Sequence, residues 1–308
     1  MRLLHVGRGF IGLKVIDRLK ASGHTVDIVD LPEFDLTNRQ QVLDTIKGYD
    51  AVLLMAAISN LNFFEADPLR GMDVNMGGLT NVVQACADTK TLLYYISTCC
   101  VYGNTKDLPS SEEARPEPSE IYAACKLAGE WIIKGYRKSF DLDYVILRIA
   151  TTYGPGMRAA LAPAVFINQI NKGEPITVHG DGEQTRTLTY IDDEADGIVA
   201  VINSGVKNET FNISTEEEKS VNELIDIIKT EMNTPDHPVM YVKNRKGQTF
   251  KEQIDAKKVR EIRIWKGRYA PTAKKVTKTT GWSAKYSLRE GIRETLAWMK
   301  ENNIKEII

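Results

Sequence analysis

Six residues near the start of the chain, Gly7-Arg8-Gly9-Phe10-Ile11-Gly12, limit the fold more than any other stretch. They follow a short apolar run, Leu3-Leu4-His5-Val6, and open a helical pattern that continues to about Lys20, with a turn at Ser22-Gly23. A second apolar run, Thr25 to Val29, ends in Asp30, 18 residues past Gly12. Strand, G-x-G-x-x-G, helix, strand and acid in that order form the fingerprint of a dinucleotide site. The glycines permit a tight turn and a close approach of backbone to pyrophosphate, which rests on the helix N-terminus. Asp30 suits the ribose hydroxyls and repels a 2′-phosphate, which favours NAD over NADP. Arg8, able to hold a phosphate, leaves room for NADP.

Strand and helix patterns then alternate. Glu33 to Leu36 can form a very short third strand, with Asp35 and Leu36 placed to meet the adenine. A helix from about Asn38 to Lys47 leads to a buried strand, Ala51 to Met55, ending in Ala56-Ala57. Small residues at a parallel strand's C-terminal end leave space for a ligand or simply pack closely. A helix from about Asp73 to Asp88 precedes the strand Leu92 to Ile96, which runs into Ser97-Thr98-Cys99-Cys100-Val101-Tyr102-Gly103. After a polar loop from Asn104 to Pro118, Ser119 caps a helix reaching about Ser139, and the strand Tyr144 to Leu147 follows. The alternation predicts an α/β chain with a Rossmann-type, doubly wound parallel sheet and a smaller C-terminal substrate domain. Residues 1–153 form the dinucleotide domain, with 187–213 returning to it through a helix (Asp192 to Ser204) and a last strand (Thr210 to Ile213). Residues 154–186 and 214–308 form the substrate domain, with helices at about Leu161 to Asn171, Val221 to Met232 and Leu288 to Lys300.

Within the helix after Ser119, Tyr122 and Lys126 stand one turn apart, so both side chains emerge on one face. A neighbouring ammonium favours the phenolate, and moving a phenol from a pKa near ~10 to near ~7 represents about 4 kcal/mol. A phenolate at neutral pH can remove a proton from a sugar hydroxyl. The spacing alone is weak, because the chain has 12 tyrosines and Tyr102/Lys106 repeats it, although Gly103-Asn104 reads there as a turn.

Bulk properties narrow the partners. A net charge of −1 argues against nucleic acid or an anionic membrane as the main partner, and the basic stretch from Lys243 to Lys278 reads as a solvated face. No apolar run approaches the roughly 20 residues that span a bilayer. The first residues lead directly into the glycine loop, which leaves no room for a signal peptide. Cys86, Cys99, Cys100 and Cys125 lack C-x-x-C spacing, so no metal and no disulfide framework is expected, and a reducing cytoplasm fits.

Taken together the ordered motifs resemble the extended short-chain dehydrogenase/reductases, in the NAD-dependent nucleotide-sugar epimerase/dehydratase family of the UDP-glucose 4-epimerase type. Val6 to Gly12 is similar to its G-x-x-G-x-x-G with Val6 at the first glycine, Ser97 to Gly103 to its Ser-Thr strand end, and Tyr122 to Lys126 to its Tyr-x-x-x-Lys. Leu147-Arg148, Tyr153-Gly154-Pro155, Gly180 to Arg186, Tyr190 to Asp193 and Gly281-Trp282 continue the match. The resemblance implies a catalytic set of Thr98, Tyr122 and Lys126: Tyr122 takes the sugar 4-hydroxyl proton while hydride passes to NAD. It implies NAD contacts from Gly7, Gly9, Phe10, Ile11, Gly12, Asp30, Asp35, Leu36, Met55, Ala56, Ala57, Asn75, Tyr122 and Lys126. Substrate contacts fall to Ser59, Thr98, Cys99, Cys100, Tyr122, Thr151 and Arg186, the last as diphosphate ligand. It also implies a homodimer through helices exposing Met76, Leu79, Ala123, Leu127 and Trp131.

Departures from the pattern bear on the substrate. The Asp30–Asp35 connection is short, and with Leu127-Ala128-Gly129-Glu130 it resembles 4-keto-sugar reductases. Cys99-Cys100 stands where 4,6-dehydratases carry Asp-Glu, and Thr151 replaces a diphosphate-contacting Asn. Cys100 occupies the position of an acid/base Cys in 3,5-epimerising relatives, or is a packing Cys. The expected activity is epimerisation at C4 of a UDP-hexose through a 4-keto intermediate, of the UDP-glucose/UDP-galactose type. An NDP-4-keto-sugar reductase, an NDP-sugar dehydratase and a non-catalytic NAD-binding regulator are the alternatives.

Overall fold

Strands apolar along their whole length pack only where both sheet faces are covered, and β3 and β4 of this chain are buried at every residue. The structure, a computed structural model, describes residues 1–103, 105–242, 250–255, 258–262 and 268–308. In chain order β1 (Arg2–Val6), α1 (Phe10–Ala21), β2 (Thr25–Val29), α2 (Arg39–Ile46), β3 (Ala51–Leu54), α3 (Leu61–Ala66) and α4 (Pro68–Met72) come first. A π-helical turn (Asp73–Gly78) runs into α5 (Leu79–Thr89). Next are β4 (Leu92–Thr98), a 3₁₀ turn (Cys99–Tyr102), α6 (Ile121–Phe140), β5 (Tyr144–Ile149) and β6 (Thr151–Tyr153). There follow α7 (Ala162–Lys172), β7 (Ile176–His179), β8 (Thr185–Tyr190), α8 (Ile191–Ser204), β9 (Glu209–Ile213), β10 (Glu218–Ser220) and α9 (Val221–Glu231). The chain closes with β11 (Val239–Val242), β12 (Phe250–Asp255), β13 (Lys258–Ile262), α10 (Lys274–Thr280) and α11 (Leu288–Glu301).

Two compact units form. The first comprises Met1–Thr152, Ile191–Glu216 and Pro271–Lys285. Its sheet has the order β2-β1-β3-β4-β5-β9 with every pairing parallel. Alternate residues feed two cores. Leu3, Leu53, Tyr94, Val145 and Phe211 face α1 and α8, while Leu4, Val52, Leu93, Tyr95 and Ile146 face α2, α5 and α6. The chain reverses winding direction between β1 and β3, and their C-terminal ends open the crevice in which such sheets bind ligands.

Three local expectations are corrected. Glu33 to Leu36 is not a strand; Phe34 N–H donates to Asp30 O (3.0 Å) and Asp35 N–H to Gln41 Oε1 (2.9 Å), so turn bonds occupy the donors a ladder needs. Ser119 does not cap α6, whose N-cap is Glu120, without a capping side-chain bond. Leu79 and Ala123 are buried, Leu79 lying against Gly129 of the neighbouring helix, so of that face only Trp131 is fully exposed. Within the basic stretch, residues 243–249, 256–257 and 263–267 lie outside the described residues, as does Asn104.

The second unit comprises Tyr153–Tyr190, Glu217–Ala270 and Tyr286–Ile308. It takes β8 whole, because β8 pairs antiparallel with β10 and Arg186 bridges to Tyr269. Residues 271–285 belong instead with the first unit, where Val276 and Trp282 join the core beneath α8 and β9. Capping boxes fix α9 (Ser220/Glu223) and α11 (Ser287/Glu290), and β7 pairs parallel with β11. Among the described residues, no helix is long and apolar enough to cross a membrane.

Candidate active site

The glycine loop is built by close approach. Gly7 sits at φ 106°, and a Cβ there would lie 2.8 Å from Ala56 N, so a side chain would push the ends of β1 and β3 apart. A Cβ at Gly12 would lie 3.0 Å from both Gly7 O and His5 Cε1. Gly9 is the N-cap of α1 and meets nothing within 4 Å, and no side chain caps that end. The first-turn N–H groups, beside half-buried Phe10 and Ile11, are therefore open to an anion, as a bound pyrophosphate requires. The Asp30 carboxylate accepts Arg8 N–H (2.6 Å) and Leu31 N–H (2.9 Å), which ties the loop to the end of β2. These features fit a dinucleotide.

The other expected cofactor residues divide between rim and core. The Asp35 carboxyl is held below its usual range by the Thr37 backbone N–H and then its hydroxyl, while Leu36 is buried against Gly78. Met55, Ala56 and Ala57 are half-buried where β3 ends. Asn75, buried in the π-helical turn, clamps the backbone of Ile58. His5, not anticipated from the sequence, is fully buried under the loop, and neither ring nitrogen has a hydrogen-bond partner among the described residues. Burial lowers its pKa to about 4, so it is neutral at physiological pH.

Across the crevice, Thr98 ends β4, and its hydroxyl accepts Cys100 N–H at 3.2 Å. The Lys126 ammonium is 4% exposed, donates to Ile96 O at 2.7 Å and lies 4.7 Å from the Tyr95 ring centroid. Burial lowers its pKa to about 8 against the opposing pull of Glu130, leaving it mostly charged at neutral pH. Tyr122 is half-buried, its ring edge-on to Phe64 at 6.1 Å. Phe64 is itself buried against Gly71, so the short helices α3 and α4 set the ring's position. Thr98 at the end of β4 and Lys126, anchored on Ile96 O of the same strand, thus lie at one end of the sheet, and Tyr122 precedes Lys126 by one turn of α6.

Behind them lies a buried polar network. Glu130 accepts Ser97 Oγ–H (2.6 Å) and two Arg148 N–H groups (3.0 and 2.7 Å). Arg148 also donates to Tyr102 OH (2.9 Å), which donates to Asn212 Oδ1 (2.7 Å). Burial opposes the Arg148 charge, but Glu130 outweighs it and holds the guanidinium ionised. Spacing was the available signal: Glu130 stands one turn beyond Lys126 and about two beyond Tyr122.

The expected substrate contacts separate likewise. Cys99 is fully buried and its thiol donates to Arg148 O at 3.1 Å, so it serves packing and cannot line a substrate site. Cys100 and Thr151 are half-buried, and Ser59 is exposed after β3. Arg186 belongs to the second unit, where it donates to Thr185 O at 2.6 Å. That unit also carries a cavity of about 700 Å³ lined by His179 to Asp181, Glu183 to Thr185, Glu218 and Arg268. Arg268 is already paired with Glu218 there.

The chain is similar to known proteins over nearly its whole length. The model of the NAD dependent epimerase/dehydratase family matches residues 7–214. A putative UDP-glucose 4-epimerase from Methanocaldococcus jannaschii is 30% identical over 98% of this chain and 99% of its own length. The crystal structure of UDP-glucose 4-epimerase from Thermotoga maritima, with UDP-glucose, superposes with a TM-score of 0.84 at 25% identity, covering 98% of this chain and all of that one. The UDP-glucose 4-epimerase of Thermus thermophilus, in complex with NAD, superposes with a TM-score of 0.82 at 25% identity, covering 97% and 99% of the two chains.

Proposed function

Because the chain belongs to the NAD dependent epimerase/dehydratase family, whose cofactor is NAD, we propose that it is a nucleotide-sugar epimerase acting at C4 of a UDP-hexose. The observation that carries the reading is Lys126, buried and anchored on Ile96 O, one turn from Tyr122 and beside the strand end bearing Thr98. A cation so fixed favours the Tyr122 phenolate and keeps one helix face aimed at one reacting carbon. The named 4-epimerase relatives support C4 as the reacting centre.

Gly7, Gly9, Phe10, Ile11 and Gly12 hold the pyrophosphate on the N-terminus of α1, and Asp30 holds the adenosine ribose. Asp35, Leu36 and Met55 to Ala57 border the adenine and the middle of the cofactor, and Asn75 orders that border. Bound NAD supplies reversible hydride acceptance at the sugar carbon, so it is regenerated in each turnover. Tyr122 removes the 4-hydroxyl proton and later returns it to the keto oxygen. Thr98 shares a hydrogen bond with that oxygen, and Lys126 holds the nicotinamide ribose as well as stabilising the phenolate. Ser59, Cys100 and Thr151 border the sugar. The enzyme works as a homodimer in the cytoplasm, in keeping with its four free thiols.

Incubation of the purified protein with UDP-glucose or UDP-galactose, with no nicotinamide added, tests this. Interconversion is expected, and Tyr122→Phe abolishes it while NAD stays bound. Consumption of added NAD(P)H on a 4-keto sugar would identify a reductase, and a 4-keto-6-deoxy product a dehydratase. A protein that binds NAD and does none of these would be a regulator.

A further inference from the structure

The reading of Tyr122 and Lys126 leaves the buried pair Glu130 and Arg148 without a task. Glu130 and Arg148 are 1% and 3% exposed, deep in the first unit, and form a two-pronged ion pair. Apolar residues of similar size often replace a buried ion pair at little loss of stability, because burying the pair costs desolvation that its attraction barely recovers. Its geometry, by contrast, is directed. Glu130 projects from the face of α6 that carries Tyr122 and Lys126, and it accepts the hydroxyl of Ser97, the residue before Thr98. Arg148 rises from β5 and reaches Tyr102, in the turn that follows Thr98. One carboxylate thus joins the helix of the proton-transfer pair to the neighbouring strands β4 and β5, at the residue next to Thr98.

We propose that Glu130, held by Arg148, is a positioning residue: one turn from Lys126 on α6 and bonded to Ser97, next to the Ile96 carbonyl on which Lys126 is anchored, it fixes α6 against the ends of β4 and β5 and stands as counter-charge to the Lys126 ammonium. Neither residue reaches the reacting atoms; both act through Lys126 and Tyr122. The proposal rests on the catalytic reading of that pair. Among the described residues, Tyr122, Cys125 and Glu130 on α6 and Tyr95 on β4 are the titratable groups around Lys126, and Arg148 on β5 and Lys134 on α6 are the cations facing Glu130. Glu130 is the one carboxylate among them that acts on the ammonium, and it raises the affinity of Lys126 for its proton. α5, packed on the same helix, presents the uncharged Leu79 against Gly129.

Two variants separate charge from packing. Glu130→Gln keeps the size and an acceptor for Ser97 but leaves Arg148 uncompensated. The double variant Glu130→Met/Arg148→Met fills the space with no charge. The first readout needs no sugar: the NMR titration of ¹³C-lysine-labelled protein, with the Lys126 signal identified by its loss in Lys126→Met. Its midpoint, about 8 in the parent protein, falls by roughly one pH unit in both variants, a tenfold loss of proton affinity. The second readout is UDP-hexose interconversion, where kcat falls at least ~10-fold, KM changes less than ~3-fold, and the alkaline limb of the pH profile moves down with the Lys126 midpoint. An unchanged midpoint in the folded double variant overturns the proposal. Failure of that variant to fold also overturns it, by assigning the pair to stability alone. If the parent protein turns over no UDP-hexose, the functional reading fails, and the titration still decides the role of the pair.

Discussion

The side-chain amide of Asn75 closes two hydrogen bonds on one residue: its Oδ1 accepts Ile58 N–H at 2.8 Å and its Nδ2 donates to Ile58 O at 3.0 Å. Asn75 lies in the π-helical turn between α4 and α5, a distortion that turns the amide toward the segment after β3. That segment includes Ala56, against which Gly7 is packed. The clamp therefore holds the wall facing the glycine loop. Asn75→Ala should cost about 1–3 kcal/mol, because it leaves a half-buried peptide group unpaired. It should also lower the NAD retained through purification. Asn75→Asp keeps the acceptor alone and should fall between the two. Thermal melts and nucleotide released per chain are the measurements; NAD content at the parent level in Asn75→Ala would show that the clamp does not support the cofactor.

Lys126 trades stability for chemistry. Its folded pKa of about 8 lies below the ordinary 10.5, so between those values the unfolded chain binds more protons than the native one. Stability from this group consequently rises with pH across that window, and below about 8 the full cost of the buried charge is present. Lys126→Met should be more stable than the parent at pH 7, by roughly 1–3 kcal/mol after loss of the Ile96 bond, and should be inactive. Denaturant melts at pH 7 and pH 10 check this, since the gap between the two proteins must shrink at the higher pH.

His5 predicts sensitivity to acid. Its pKa is lowered from 6.5 to about 4, so the native state resists the proton that the unfolded chain accepts. Its contribution is intact above 6.5 and is lost as pH falls toward 4, up to about 3 kcal/mol. His5→Val removes both buried ring nitrogens and should flatten that part of the stability–pH curve. Equal slopes for the two proteins between pH 6.5 and 4.5 would rule out His5 as the source.

Trp131 carries the association prediction. It is 64% exposed on α6, where burying an indole in a symmetric contact gains more than leaving it in water. Sedimentation at micromolar concentration should give a dimer for the parent and a monomer for Trp131→Arg. A monomeric parent refutes the dimer.

Local pattern was enough wherever one physical requirement acts on one segment. The glycines at 7, 9 and 12, the apolar runs of β1, β3, β4 and β5, and the Tyr122/Lys126 spacing each announce themselves, because backbone sterics and side-chain period are properties of short stretches. Segments whose donors are claimed from a distance were misread. Glu33 to Leu36 has strand-like residues, yet Gln41 takes its N–H, and Ser119 has the chemistry of a cap one position too early. Leu79 and Ala123 read as an exposed stripe, although packing between α5 and α6 buries both.

The sequence by itself determined a parallel, doubly wound sheet, a dinucleotide loop and the pair Tyr122 and Lys126, because periodicity and fixed spacing encode these. Only the tertiary structure decided that Cys99 faces the core, that His5 lies buried beneath the loop, and that Glu130 meets Ser97 and Arg148. These relationships join residues 18 to 33 positions apart, or depend on burial. Both are set by how the strands and helices pack, which no single stretch contains.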